Sequence, residues 1–197
     1  MSMSKLASVI VRLLHGRKLN VAVLHRGNPS VAESIAGEGH RVVIAGDRFR
    51  SLYKLYRKFD IRSETRPVIT EAKLDALPIR VRSLDALVLT SGLPSLGSPV
   101  HVLGDLRDLL RESGLLIWPH PVRDGTRGKL GRLVVPGRRA MLPPMKRHEL
   151  SALTMQAGFS EVSQVAVPGG LVPWIVTTGR VGIRPWKIAN KKNFIPS

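Results

Sequence analysis

The sequence contains no cysteine. This absence excludes disulfide bonds, thiolate metal sites and cysteine nucleophiles, and it agrees with a reducing compartment, so we expect a cytoplasmic protein. Long apolar runs are missing too, because no stretch approaches the roughly 20 residues that a membrane helix needs. The apolar residues 9–14 are interrupted by Arg12, and no small-residue cleavage site follows them. We therefore expect no secretory signal at this position.

Acidic residues are scarce. Asp and Glu number 14 against 31 Lys and Arg, which gives a formal net charge of +17 in 197 residues. A compact domain this basic repels itself unless an anionic partner compensates the charge. We expect such a partner: a nucleic acid, an acidic protein surface or, less favoured, an anionic membrane. The alternative is a basic surface that only keeps the protein in solution.

Short apolar runs alternate with stretches of helical periodicity over most of the chain. The predicted strands are residues 20–24, 41–45, 68–70, 84–89, 115–118, 161–167 and 172–178, and the predicted helices are 3–14, 30–38, 49–59, 102–112 and 147–157. This alternation predicts an α/β protein with a mostly parallel sheet and helices on both faces. The last two strands have no helix between them, which predicts an antiparallel C-terminal hairpin.

The domain organisation follows from the same pattern. Residues 1–180 are predicted to form one domain, with a basic loop or hairpin inserted at 119–147 and a basic tail at 181–197. The first helix has an apolar face, which favours packing on the sheet over lying on a membrane surface. The tail carries Trp186 and Phe194 among its basic residues, so it could anchor to a partner.

Three segments resemble class I S-adenosylmethionine (SAM)-dependent methyltransferases, particularly the quinone-biosynthesis branch. The first is Leu77-Pro-Ile79, a four-residue spacer and then Leu84-Asp85 with an apolar strand. The second runs from Leu106 to Trp118, as a leucine- and arginine-bearing helix, a glycine turn and an apolar strand. The third is a late helix that ends in Ala157-Gly-Phe159. The resemblance covers roughly residues 20–180 and implies a Rossmann-like methyltransferase fold with SAM as its cofactor.

The residues that this resemblance places at the cofactor depart from the family pattern. Val23 stands at an acidic position, and His25 and Pro29 stand at two of the three glycine positions of the following turn. Gly46 stands where the family carries the carboxylate that holds the ribose, and Lys73 stands at an acidic position near the adenine. The candidate cofactor-binding residues that remain are Gly27, Asn28, Asp47, Asp75 and Thr90.

Asp47 is the residue on which the predicted cofactor site most depends. It could replace the carboxylate absent from Gly46 if the strand end shifts by one residue. The alternative is an exposed loop aspartate that caps the next helix. The chain is accordingly either a degenerate methyltransferase-like protein that binds an anionic partner or an active methyltransferase with an atypical cofactor pocket.

Basic residues fall into three groups that favour contact with phosphate groups. The first group lies around the predicted helix 49–59 and is interleaved with Tyr53, Tyr56 and Phe59, which suit base stacking. The candidate partner-binding residues are Arg48, Arg50, Lys54, Arg57 and Lys58 in the first group, Arg127, Lys129, Arg132, Arg138 and Arg139 in the second, and Lys187, Lys191 and Lys192 in the third. For each group the alternative is a solvated face.

No catalytic residue is assigned from the sequence. The histidines form no paired spacing with nearby carboxylates, so no metal site is predicted. His120 follows the fifth predicted strand and could act as a base, although an exposed loop histidine is the favoured interpretation. Ser91 and Ser95 lack the glycine-flanked turn of a hydrolase nucleophile.

Overall fold

The seven strands of the computed structural model form one sheet, whose order is β3-β2-β1-β4-β5-β7-β6. The structure describes residues 3–16, 18–25, 30–59, 66–90, 98–123, 143–167 and 173–182. The strands are β1 Asn20–Leu24, β2 Arg41–Gly46, β3 Val68–Glu71, β4 Leu84–Leu89, β5 Leu110–Pro121, β6 Phe159–Val167 and β7 Trp174–Val181. The helices among these residues are α1 Met3–Leu13, α2 Ser30–Gly37, α3 Phe49–Tyr56, α4 Pro99–Leu109 and α5 Arg147–Gln156.

The sheet is parallel from β3 to β5, and β7 runs antiparallel to both β5 and β6. The predicted α/β class and the antiparallel C-terminal pair are therefore confirmed. Because β7 inserts between β5 and β6, β6 is the edge strand of the antiparallel pair, and β3 forms the other edge of the sheet. The order reverses direction between β1 and β4, which defines a topological switch point.

Successive side chains of the central strands pack alternately into two hydrophobic cores, one on each face of the sheet. Val21 and Val23 of β1 face a core that contains α1, α2 and the buried side of α3. Ala22 and Leu24 face the opposite core, to which α4 and α5 contribute. Period-two alternation explains why an unbroken apolar strand is buried on both faces.

The apolar face of α1 is buried in the first core. Leu6 and Ile10 are fully inaccessible to solvent, and Leu14, just after the helix, is 1% exposed. This agrees with the prediction that the helix covers the sheet. None of the helices in the described ranges has both the length and the apolar character needed to span a membrane.

The boundary between α4 and β5 differs from the prediction. The helix begins at Pro99, since proline fits the first helical turn, and it ends at Leu109 rather than at Glu112. Strand β5 begins at once, and its register against β4 shifts between the pairs Leu84–Leu110 and Ala86–Leu115. Ser113 has a positive φ of 62° inside this irregular stretch. The Ser-Gly pair thus marks a bulge in the strand, not the end of the helix.

Candidate functional site

The carboxyl ends of β1, β2 and β4 lie side by side at the switch point. Leu24 of β1 pairs with Ala45 of β2 on one side and with Leu89 of β4 on the other. Open α/β sheets hold their ligands outside the carboxyl ends of the strands, at the switch point. This edge is therefore the candidate cofactor site, and the residues just beyond each strand decide what it can hold.

His25, directly after β1, is buried and points toward α3. Its side chain is 2% exposed, and its Nε2 lies 2.9 Å from the hydroxyl oxygen of Ser51 on α3. Its backbone N–H donates to the carbonyl of Ala45 at 2.7 Å. The imidazole therefore fills the corner between the ends of β1 and β2 and the helix above them. The sequence placed His25 at a glycine position, but Ser51 as its partner was not predicted.

Burial also sets the charge state of His25. Desolvation lowers the pKa of the imidazole below its ordinary value of 6.5, and the nearby carboxylate of Glu33 opposes this shift. Glu33 itself pairs with Lys58 at 2.7 Å. The folded protein therefore favours the neutral ring more strongly than the unfolded chain does.

This pKa shift predicts a loss of stability in acid. Since the unfolded chain binds the proton more readily, the contribution of His25 is present above about pH 6.5 and declines as the pH falls below that value. We expect urea unfolding to show a larger drop in stability from about pH 7.5 to about pH 5.5 for the wild type than for His25→Gln. Glutamine retains a hydrogen-bonding group for Ser51 but does not titrate. Equal drops in the two proteins would contradict the prediction.

Gly46, the last residue of β2, lies in close contact with His25. A Cβ atom added at Gly46 would lie 2.7 Å from the backbone carbonyl oxygen of His25 and 3.3 Å from Leu52. The first distance is shorter than real Cβ contacts, and its partner is backbone that cannot simply rotate away. This position therefore excludes any side chain, including a carboxylate, unless the ends of β1 and β2 move apart.

Gly46→Ala is accordingly expected to destabilise the protein. Overpacking of this kind costs about 1–3 kcal/mol. The matched control is Gly104→Ala in α4, where an added Cβ meets nothing within 4 Å. Replacing glycine by alanine in a helix stabilises by about 0.5–1 kcal/mol. Denaturant unfolding of both variants measures the difference, and a Gly46→Ala protein as stable as the wild type would show that the strand ends are free to move.

The structure places the remaining cofactor candidates around the same edge. Asp47 is exposed directly after β2, and Arg48, not Asp47, is the N-cap residue of α3. Thr90 follows β4 and is 2% exposed, and its hydroxyl donates to the carbonyl of Leu24 at 3.2 Å. Asp75 is exposed in the turn after β3. Gly27 and Asn28 lie outside the described residues.

His120 is a fully buried strand residue rather than an exposed loop histidine, so the favoured interpretation of it is wrong. Its Nε2 lies 3.0 Å from the carbonyl oxygen of Pro143, and its ring lies 5.6 Å from that of Trp118. Strand β5 continues to Pro121, beyond the predicted end at residue 118, which carries His120 into the core. Within the described ranges, no group of three or more His, Asp or Glu side chains could hold a metal ion.

The first group of candidate partner-binding residues surrounds α3. Leu52 and Leu55 anchor this helix in the core, while Phe49, Tyr53 and Tyr56 are 63%, 52% and 44% exposed. Phe49 and Tyr53 stack with ring centroids 6.0 Å apart. These aromatic residues and the basic residues Arg50, Lys54 and Arg57 are together called the α3 face. The basic residues of the α3 face are exposed, and so is Arg48 at the start of the helix. Lys58, just after the helix, forms an ion pair with Glu33.

The second and third basic groups lie outside the described residues. This applies to Arg127, Lys129, Arg132, Arg138 and Arg139 of the predicted hairpin and to Lys187, Lys191 and Lys192 of the tail. Their roles stay predictions from the sequence.

The strand order, with its switch point and antiparallel β7, defines a Rossmann-like α/β protein. The sequence matches no protein-family model and no curated protein. Comparison with solved structures shows which kind of Rossmann-like fold this is. A 1,6-didemethyltoxoflavin-N1-methyltransferase from Burkholderia thailandensis superposes with a TM-score of 0.72 at 20% identity, over 92% of this chain and 79% of that one.

Two further solved methyltransferases share the fold. A SAM-dependent methyltransferase from Methanosarcina mazei has a TM-score of 0.69 at 12% identity, over 89% of this chain and 98% of that one. The magnesium protoporphyrin IX methyltransferase of Synechocystis PCC 6803 has a TM-score of 0.68 at 15% identity, over 92% and 82%. The chain therefore has the class I SAM-dependent methyltransferase fold.

Proposed function

We propose that this chain uses the methyltransferase fold as a binding scaffold rather than for methyl transfer, and that its partner is single-stranded nucleic acid. The observation that carries the first half is the buried imidazole of His25. It occupies a position where the family resemblance implies a glycine, and it is held there by Ser51. A bound cofactor needs backbone without side chains at this turn.

Gly46 adds a second argument against cofactor binding. The resemblance puts the ribose-binding carboxylate at this residue, yet the carbonyl of His25 leaves no room for a Cβ atom. The two departures are coupled, since the same backbone at His25 that carries the imidazole also excludes a side chain from Gly46. We infer that the residues present do not fit SAM in the family's manner.

The α3 face supports the second half of the proposal. Large aromatic side chains are rarely left exposed together, and here they alternate with cations on one helix. Stacked bases and phosphate groups are the natural complement of such a surface, and exposed bases are found in single strands. The net charge of +17 favours the same partner.

Salt dependence tests the partner. We expect a labelled single-stranded RNA to bind with an affinity that falls as salt rises, since phosphate contacts release counterions. Three phosphate contacts would give a logarithmic slope of about −2, and thus a loss of roughly 15-fold between about 50 and 200 mM salt. Fluorescence anisotropy measures the affinity. Binding that is absent, or that does not respond to salt, would contradict a nucleic-acid partner.

An active methyltransferase with an atypical pocket is the second candidate. Asp47 and Thr90 support it, because both lie at the carboxyl edge beside the ends of β2 and β4. The neighbours from B. thailandensis and Synechocystis hold S-adenosylhomocysteine, which is the product form of the cofactor. In this alternative Asp47 replaces the carboxylate that Gly46 cannot carry.

A further inference from the structure

A cleft of about 710 Å³ lies at the opposite edge of the sheet from the candidate cofactor site. It is formed where β1, β2, β3 and β4 begin. Its polar lining includes Lys18, His40, Arg41, Arg66, Arg80 and Ser83. Each of these residues lies within a few positions of a strand start, and parallel strands begin at one common edge. Sequence reasoning missed the cleft because its cations are far apart along the chain and form no local cluster.

The charge of this cleft is of one sign. Lys18, Arg41, Arg66 and Arg80 line it, and no carboxylate is among its described lining residues. None of these cations forms an ion pair with a described residue. Four like charges around one concavity repel one another, and low-dielectric walls focus their field.

Asp85, which follows the lining residue Leu84, does not neutralise the positive charge of the cleft. Asp85, the second residue of β4, is buried, and one of its carboxylate oxygens accepts the backbone N–H of Asn20 at 2.7 Å. Its other oxygen pairs with Arg111. This carboxylate ties the start of β1 to β4 and β5, and its charge is already matched by an arginine outside the cleft.

Two side chains that line the cleft are held in place by neighbouring residues and still have N–H donors available for a ligand. The guanidinium carbon of Arg66 lies 4.4 Å from the ring centroid of Tyr56, and its Nη2 is buried without a hydrogen-bond partner among the described residues. His40 accepts the backbone N–H of Leu19 at its Nδ1, at 3.3 Å, so in the neutral ring Nε2 carries the proton. A buried donor without a partner is costly, and a ligand oxygen would satisfy it.

We propose that this cleft binds a small molecule that carries two or more phosphate groups. Its volume is in the range of small-molecule sites, about 300–1,000 Å³. Arginines recognise phosphate through paired N–H donors, and lysine adds a point charge. The site is separate from the carboxyl edge, so it does not depend on whether the chain binds SAM, and it adjoins the α3 face through the contact of Arg66 with Tyr56.

Calorimetry with inorganic tripolyphosphate and, separately, with ATP tests the proposal. We expect the wild type to bind both, and the double variant Arg41→Gln/Arg80→Gln to bind each at least about tenfold more weakly, because two charge-assisted contacts are lost. Both arginines are exposed, so folding is not at risk. The matched control is Lys5→Gln/Arg12→Gln, which removes the same charge from the exposed side of α1 and should leave affinity unchanged.

The outcomes separate the sources of binding. Tighter binding of ATP than of tripolyphosphate would indicate a nucleotide ligand, and equal binding would indicate that the cleft recognises the phosphate chain alone; both support the proposal. An equal loss in the cleft variant and the α1 control would overturn it, because attraction by net charge would then suffice. The proposal is also overturned if neither tripolyphosphate nor ATP binds at about 5 mM. If the cleft variant nevertheless weakens RNA binding, the two arginines belong to a nucleic-acid surface instead.

Discussion

Titration of the wild-type protein with SAM is expected to release no heat of binding, even with millimolar ligand. His25 fills the corner between the ends of β1 and β2 and helix α3, and Gly46 has no room for a side chain. Under the scaffold proposal, these two residues remove the geometry by which the methyltransferase family holds its cofactor. Micromolar and millimolar dissociation constants differ by about 4 kcal/mol, so calorimetry distinguishes a working cofactor site from an absent one.

Asp47 provides the decisive variant for this experiment. Clear SAM binding in the wild type that is abolished in Asp47→Ala would establish the atypical-pocket alternative and refute the scaffold proposal. Glu38→Ala is the matched control, since Glu38 is an exposed carboxylate just after α2. Binding lost in both variants would indicate a general charge effect. The folded state of each protein is checked by its cooperative thermal transition.

Removal of the aromatic side chains from the α3 face is expected to weaken RNA binding strongly. Stacking of a base on an aromatic side chain contributes about 1–3 kcal/mol, so Phe49→Ala and Tyr53→Ala should each lower affinity by about tenfold. Both residues are exposed and contact each other rather than the core, so the fold should persist. Met155→Ala, at a residue that is 57% exposed on α5, is the matched control.

The cations of the α3 face separate two kinds of anionic partner. Arg50→Gln/Lys54→Gln should make the salt slope shallower by about 1.4, which is two phosphate contacts to a single strand. Lys5→Gln/Arg12→Gln on α1 should leave the slope unchanged. If the charge variant weakens binding while Phe49→Ala and Tyr53→Ala do not, no base stacks on this helix. An acidic protein surface would then fit the α3 face better than nucleic acid.

Most of the fold could be predicted because its signals are local. Strand β1 is an apolar run that is buried on both faces. Gly158, which the sequence predicts to end α5, follows that helix with a positive φ of 85°. The boundary at α4 and β5 could not be predicted in this way. Residues 110–112 carry helix-forming side chains, yet the burial of Leu110 and its pairing with Leu84 draw them into the strand. Tertiary pairing here overrides local preference.

The candidate site was only partly predictable. The departures at His25 and Gly46 were visible as residues of the wrong type at expected positions. Their consequence was not visible, because it depends on the backbone carbonyl of His25, directly after β1, and on a serine of α3 that is 26 residues from His25 in the chain. His120 was misjudged for the same reason, since the length of β5 decides its burial.

The sequence by itself determined the α/β class, the parallel sheet with its antiparallel final pair, the glycine at position 46 where the resemblance implies a carboxylate, and the large positive charge. These are properties of composition and of short-range periodicity, which residues carry with them. The tertiary structure alone decided that His25 is buried against Ser51, that Gly46 excludes a side chain, and that Lys18, Arg41, Arg66 and Arg80 converge on one cleft. Such proximities arise only when parallel strands align their ends, because residues from distant parts of the chain are then brought to one edge.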